Sequence, residues 1–307
     1  MDSAYLNLEP IWPGWKIGTL LGKGLSGSVY RATRSTNGIV MESAVKIIAA
    51  PKAQSELSQL QFEGFQKTGI ELYKIITDAG IDEISYLLKL KACSHVVDIE
   101  DFALVQRDDD IQWNVYIRME LLRSLTDYLM EQQSLKEDEI IKLGLDLSEA
   151  LMQCEKNHIV HRDVKLENIF ITEEGCFKIG DFGIAILLEA VDPEDKRGNK
   201  NYMAPEVFLE RKYGKTTDIY SLGLLLYMLA NGNKMPFIDT EYSKADNEEK
   251  AQAVYRRVHG EKIPDARYAS PSLNRIILKT LRYEPEQRYP NAEALYADIK
   301  KIECNLH

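Results

Sequence analysis

Residues 21–29, LGKGLSGSV, place Gly22, Gly24 and Gly27 ahead of Val29. Glycines at that spacing let a turn between strands approach a polyphosphate closely and offer it backbone N–H groups. The same spacing also suits a plain hairpin turn. A dinucleotide fold would require a helix after the third glycine, whereas SVYRAT reads as a strand. In the next strand-like run, SAVKII, Lys46 is flanked by apolar residues. Such a lysine is either a snorkelling edge residue or a buried cation with an acidic partner and a phosphate. Glu83, in DEISYLLKL one helix later, supplies that partner. Halfway along the chain, the octapeptide HRDVKLEN (161–168) holds Asp163, Lys165 and Asn168 between two apolar segments, NHIV and IFIT.

The elements that must carry these residues follow from periodicity. WKIGTLLGKG, GSVYRATRS and MESAVKIIA alternate as strands, with a turn at TNG and a glycine-rich connection, and predict an antiparallel meander. Residues 52–92 have helical periodicity, with Leu57, Leu60 and Gly64 along one segment and Ile84, Leu87, Leu88 and Leu90 along another. HVVDIEDFALV and WNVYIRMEL return to strand character. From Leu125 onward the pattern is mainly helical, broken by short strands at HIV, IFIT and FKIG. The polar run DTEYSKADNEEK (239–250) predicts an exposed loop or helix start.

Size and composition bound the function. With 307 residues, 45% hydrophobic and 28% charged, the chain can bury a sizeable core. A net charge of −10 argues against nucleic acid or an anionic membrane as the main partner. Four scattered cysteines without a C-x-x-C pair argue against a disulfide framework or zinc site and fit a reducing cytoplasm. MDSAYLNLEP lacks the character of a signal peptide. The longest apolar stretch, IYSLGLLLYMLA (219–230), is too short to span a bilayer and reads as a buried core helix.

HRDVKLEN followed by DFG (181–183) resembles the catalytic loop and metal-binding triplet of the eukaryotic-like (Hanks-type) serine/threonine protein kinases, most of all their bacterial members. YMAPE (202–206), DIYSLG (218–223) and PEQRYP (285–290) continue the resemblance in family order, from about residue 15 to residue 300. It implies an α+β, bilobal fold: a small antiparallel-sheet N-lobe carrying the Glu83 helix, and a larger, mainly helical C-lobe. The expected divisions are an extension at 1–14, an N-lobe at 15–120 with an extended helical region at about 52–82, a C-lobe at 121–303 and a tail at 304–307.

The resemblance also implies roles. Asp163 would accept or orient the proton of the attacking hydroxyl, and Lys165 would neutralise charge on the transferring phosphoryl group. Asn168 and Asp181 would ligate Mg²⁺, with Mn²⁺ as a substitute. Lys46, fixed by Glu83, would hold the α- and β-phosphates of ATP beneath Gly22, Gly24 and Gly27. Val29, Ala44 and Phe170 would sandwich the adenine, Met119 would be the gatekeeper, and Glu120 to Leu122 the hinge. Glu206 and Arg288 would pair to anchor the activation segment, and His161 and Phe182 would be core residues. Lys165 favours the serine/threonine class over the tyrosine kinases. Protein substrates with Ser or Thr are the implied partners. The implied place is the cytoplasm, either alone or as the kinase part of a longer, membrane-anchored protein.

Three departures stand out. Between Asp181 and Glu206 there is no Ser or Thr, and the one Tyr is Tyr202. Glu189, Asp192, Glu194 and Asp195 would serve there as fixed counter-charges to Arg162, or simply as solvated loop charges. Asn199 stands where the family has a threonine bonded to the catalytic Asp and Lys. The long stretch between Lys46 and Glu83, with Phe62, Phe65, Leu72, Ile75 and Ile76, predicts an extra helix that caps the N-lobe or presents a surface for self-association or a regulator. Two rival functions remain: a pseudokinase, opposed by the presence of Lys46, Glu83, Asp163, Asn168 and Asp181, and a small-molecule phosphotransferase, opposed by APE, DIYSLG and Arg288.

Overall fold

In the computed structural model, residues 7–9, 11–24, 27–48, 69–106, 113–187, 198–210 and 213–304 are described. Strand Trp15–Gly24 (β1) pairs antiparallel with Gly27–Thr36 (β2), which turns back into Ile39–Ile48 (β3). Asn37 and Gly38 make that turn with φ of 51° and 80°. Positive φ at both central residues matches the strand twist, which is why Asn-Gly is favoured there. Ile99–Gln106 (β4) and Trp113–Met119 (β5) complete a five-stranded sheet in the order β1-β2-β3-β5-β4. These strands and helix Gly69–Leu90 (α1) belong to one unit, Met1–Lys91 with Val97–Leu122.

The inner half of β3 is buried at every residue from Ser43 to Ile48, where a half-exposed strand would alternate. Both faces are covered. Ile48 faces α1, where the side chain that Gly80 lacks would come within 2.7 Å of Ile48 Cδ1. On the other face Val45 and Ile47 join Ala32 and Tyr116 in a cluster closed by Leu8, Trp12 and Trp15. Trp12 Nε1 donates to Asp101 (2.8 Å), and the Arg118 guanidinium lies 5.2 Å from the Trp12 ring and 4.6 Å from Trp15. So Leu8, Trp12 and Trp15 pack into this unit's core, which the sequence pattern, marking an extension up to residue 14, did not disclose. Of the expected 52–82 helical region, 69–82 is helical. Phe62 and Phe65 lie outside the described residues, as do the side chains of Leu72, Ile75 and Ile76.

The second unit comprises Ala92–Val96 and Arg123–His307. Its helices are Leu125–Gln132 (α2), Glu137–Lys156 (α3), Pro205–Glu210 (α4), Thr217–Ala230 (α5), Asn247–Val258 (α6), Pro271–Thr280 (α7) and Ala292–Glu303 (α8). Short strands Arg123–Ser124 (β6), Ile169–Ile171 (β8) and Phe177–Ile179 (β9) form one small sheet. Ile159–Val160 (β7) pairs with Ile186–Leu187 (β10). Every residue of α5 is buried, as expected of a helix apolar all round. Gly144 of α3 abuts Ile299 and Leu226, and a side chain at Gly223 of α5 would overlap Thr280. These close approaches make α5 the axis against which the site-bearing loop is set. The polar run 239–250 ends in α6, capped by Asp246, which accepts from the N–H groups of Glu248 and Glu249. Among the described residues no helix is long and apolar enough to cross a membrane.

Candidate active site

The candidate residues form two sets, one in each unit. In the first, β3 carries Lys46 inward, and Gly80 lets α1 come close to the sheet. One turn further on, Glu83 meets the lysine: Lys46 Nζ lies 2.7 Å from both Glu83 oxygens, with the side chains 4% and 1% exposed. Lys46 pairs across the sheet with Val29, and Ala44 with Met119. Glu120 and Leu122 follow in non-regular chain. The Glu120 carboxylate accepts the Asp98 N–H (2.6 Å).

The three glycines are not equivalent. Gly27 has φ 124°, and a Cβ there would sit 2.6 Å from Ile47 O, so β2–β3 packing itself demands glycine. At Gly22 and Gly24 no atom of the described residues lies within 4 Å of a Cβ position. Among the described residues nothing in the packing requires glycine there, which leaves room for a ligand to approach the backbone.

In the second unit the loop 161–168 is shaped by a carboxylate remote in sequence. Asp218, in the first turn of α5, accepts the N–H groups of His161 (2.7 Å) and Arg162 (2.9 Å). That fastening holds Arg162 at φ 66°. Burial pushes the Asp218 carboxyl above its ordinary range, against the opposing pull of His161 and the two N–H groups. Burial likewise pushes the His161 imidazole below its usual value, so it sits in the core neutral. Its Nε2 meets Gly180 O at 3.2 Å and its ring lies edge-on to Phe182 at 4.5 Å.

Around Asp163 the polar groups converge. Lys165 Nζ donates to Asp163 Oδ2 (2.5 Å), and Asn168 Nδ2 donates to Asp163 O and Oδ2 (both 2.9 Å). With its amide nitrogen so committed, the Asn168 side chain presents Oδ1 as a hard acceptor. Gly180 N donates to Asn168 O (2.9 Å), which ties the residue before Asp181 to this loop, and Asp181 itself takes φ 60°. Among the described residues no three His, Cys, Asp or Glu side chains form a metal cage. A cation held by Asn168 and Asp181 would therefore take further oxygens from phosphate or water, a pattern that suits Mg²⁺. Phe170 lies on β8, paired with Lys178 and Ser124.

The segment beyond is anchored as the resemblance implied. Arg288, its side chain fully buried, meets Glu206 with two bonds of 2.7 Å. Asn199 bonds locally. Its Oδ1 accepts the Asn201 N–H (3.0 Å), and it bonds neither Asp163 nor Lys165. The amide is short enough to close a local turn, and that bond captures it. Arg162 stacks on Tyr213 (5.1 Å) and donates to Ile184 O (2.6 Å). Glu189, Asp192, Glu194 and Asp195, read as counter-charges to Arg162 or as solvated loop charges, lie outside the described residues. A buried residue that went unremarked in the sequence is Arg257 of α6, which donates to the carbonyls of residues 200, 201 and 203. The signal available was weak: Arg257 lies on the stripe of Ala253, Val254 and Val258, beside a second arginine.

A five-stranded antiparallel sheet with an internal Lys–Glu pair, and a mainly helical unit with an Asp–Lys–Asn loop fastened to a buried helix, define the protein-kinase class. The chain belongs to the protein kinase domain family, whose model matches residues 15–298. It is 33% identical over 214 residues to a probable serine/threonine-protein kinase of Clostridium perfringens, covering 68% of this chain and 29% of that protein. It is 31% identical over 235 residues to an SNF1-related protein kinase catalytic subunit alpha of Arabidopsis thaliana, covering 76% and 42%. Against the serine/threonine-protein kinase PrkC of Bacillus subtilis it is 32% identical over 215 residues, covering 67% and 31%. The chain thus spans well under half the length of these curated relatives.

Proposed function

We propose that this chain is a protein kinase that transfers the γ-phosphoryl group of Mg-ATP to Ser or Thr hydroxyls of protein substrates, without phosphorylation of its own activation segment. The observation that carries the reading is the convergence of Lys165 Nζ and Asn168 Nδ2 on one oxygen of Asp163. Asp163 orients the substrate hydroxyl and takes its proton. Lys165 offsets charge on the transferring group, and Asn168 and Asp181 hold the metal. Lys46, fixed by Glu83, holds phosphate beneath Gly22, Gly24 and Gly27. To adenine we assign Val29, Ala44, Met119, Glu120 and Leu122 of the first unit and Phe170 of the second, as the family resemblance implies. Phosphoryl transfer needs positioning and charge neutralisation more than covalent catalysis, and this residue set supplies both. The lobes are assigned to 15–120 and 121–303. Four free cysteines support a reducing, cytoplasmic setting.

The test is intact-mass analysis of casein and of the chain itself after incubation with Mg²⁺ and ATP, beside Asp163→Asn and Asp181→Asn. Phosphate on casein Ser or Thr with the native protein alone is the expected result. ATP binding without transfer to either protein would turn the reading toward a pseudokinase. Labelling of tyrosine alone would overturn the Ser/Thr assignment.

A further inference from the structure

The run 199–204 is short, irregular and bonded at every carbonyl. Asn199 O accepts from Tyr202 N, and Ala204 O from Val207 and Phe208. Tyr202 O accepts the Ser221 hydroxyl at 2.9 Å. The three carbonyls between them belong to one side chain. Arg257 Nη1 donates to Met203 O (2.6 Å), and Nη2 donates to Asn201 O (3.0 Å) and Lys200 O (3.3 Å). Nη1 also reaches the Tyr220 hydroxyl at 3.2 Å, over a ring 5.5 Å from the guanidinium.

Arg257 is 4% exposed, and these partners are all neutral dipoles. A guanidinium stays charged in proteins, so taking it out of water is costly unless its N–H groups are met. Here they are met only while residues 200, 201 and 203 turn their carbonyls to one point. Any other course of the segment leaves the buried charge poorly solvated. The charge therefore imposes a backbone shape on a stretch that carries no Ser or Thr for phosphate to order, and whose Asn199 bonds locally rather than to Asp163 or Lys165.

We propose that Arg257 is a positioning residue which holds segment 199–204 in the shape that accepts a protein substrate, so that a permanent buried cation does the ordering for which related enzymes use a phosphorylated hydroxyl. The inference rests on the protein-kinase reading above. A lysine could not replace it, because one ammonium lacks the planar fork that spans three separated carbonyls.

The experiment compares the native chain with Arg257→Lys and Arg257→Met in two readouts. Steady-state phosphorylation, varying casein and ATP separately, is expected to show KM for casein raised about tenfold or more, with KM for ATP within about twofold. Arg257→Lys should fall between the native chain and Arg257→Met. Amide hydrogen exchange should accelerate over 199–204 and stay native-like in α3 and α5. Unchanged exchange over 199–204 would overturn the proposal. So would a parallel rise of both KM values with faster exchange throughout, the mark of a merely structural residue. If the native chain bound ATP but phosphorylated nothing, the kinase reading would fall, and the exchange data would still decide whether Arg257 orders the segment.

Discussion

Replacing Glu206 by glutamine removes one charge and almost no volume from the Glu206–Arg288 pair. All five N–H donors of Arg288 are engaged: Nη1 and Nη2 each reach a Glu206 oxygen, Nε reaches Arg282 O, Nη2 also Tyr283 O and Nη1 also Thr216 O. The Tyr220 ring lies 4.6 Å away. Breaking a buried ion pair from one side costs about 3–5 kcal/mol, since a charge is left without its partner. Three carbonyls and a ring face still solvate this guanidinium, which points to the lower end. About 3 kcal/mol is a roughly 150-fold change in the folding constant, and about 6–12 °C in Tm for a unit of this size. Urea and thermal unfolding of Glu206→Gln measure it, with an unchanged m-value confirming that stability alone has moved. The Glu206→Leu/Arg288→Met double variant should recover most of the loss, because the cost belongs to the orphaned charge and not to the missing bond. A loss under about 1 kcal/mol would place the pair with solvent-screened surface bridges and refute the reasoning. A double variant less stable than the single one would refute it too.

Trp12→Ala should cost about 3–5 kcal/mol, because it empties a buried aromatic site beneath the sheet and leaves Asp101 without its indole donor. Urea unfolding measures this, and a change within about 1 kcal/mol would show that Trp12 is dispensable to the unit. The depressed His161 imidazole predicts a pH dependence. Above about pH 6.5 the ring is neutral in both folded and unfolded chain, and below that only the unfolded chain takes up the proton. Stability should therefore fall as the pH drops below about 6.5. His161→Gln, which cannot titrate, should show a shallower fall, and identical slopes by thermal unfolding would dispose of the assignment.

The candidate residues could be picked out in the sequence because each belongs to a short motif that resembles one of the protein-kinase family. Lys46 in SAVKII and Asp163, Lys165 and Asn168 in HRDVKLEN are of this kind. The β2–β3 turn was legible for a different reason, since Asn-Gly answers a demand for positive φ. Trp12 was not, because it enters the core from irregular chain that has no period to betray burial. The bond that Asn199 makes was not legible, because the sequence does not show that a local bond to Asn201 N costs less chain ordering than a distant one. Arg257 was hidden in a charged stretch, YRR, where one arginine pairs with Glu261 on the surface and its neighbour turns inward. Only the burial of Ala253, Val254 and Val258 separates the two.

The sequence distance between Glu206 and its partner sets an order on synthesis. Arg288 lies 82 residues downstream, so at about 5–20 residues per second the ribosome takes roughly 4–16 s to deliver the second half of the pair. The His161–Asp218 fastening spans 57 residues and closes earlier. A nascent chain would thus gain its Asp–Lys–Asn loop before the segment around Glu206 is secured. For those seconds Tyr202, Met203 and the other side chains meant for the interior have no finished surface to bury them. A chaperone that recognises exposed apolar chain would find its opportunity in that interval, and translation speed across residues 206–288 would govern how long it lasts.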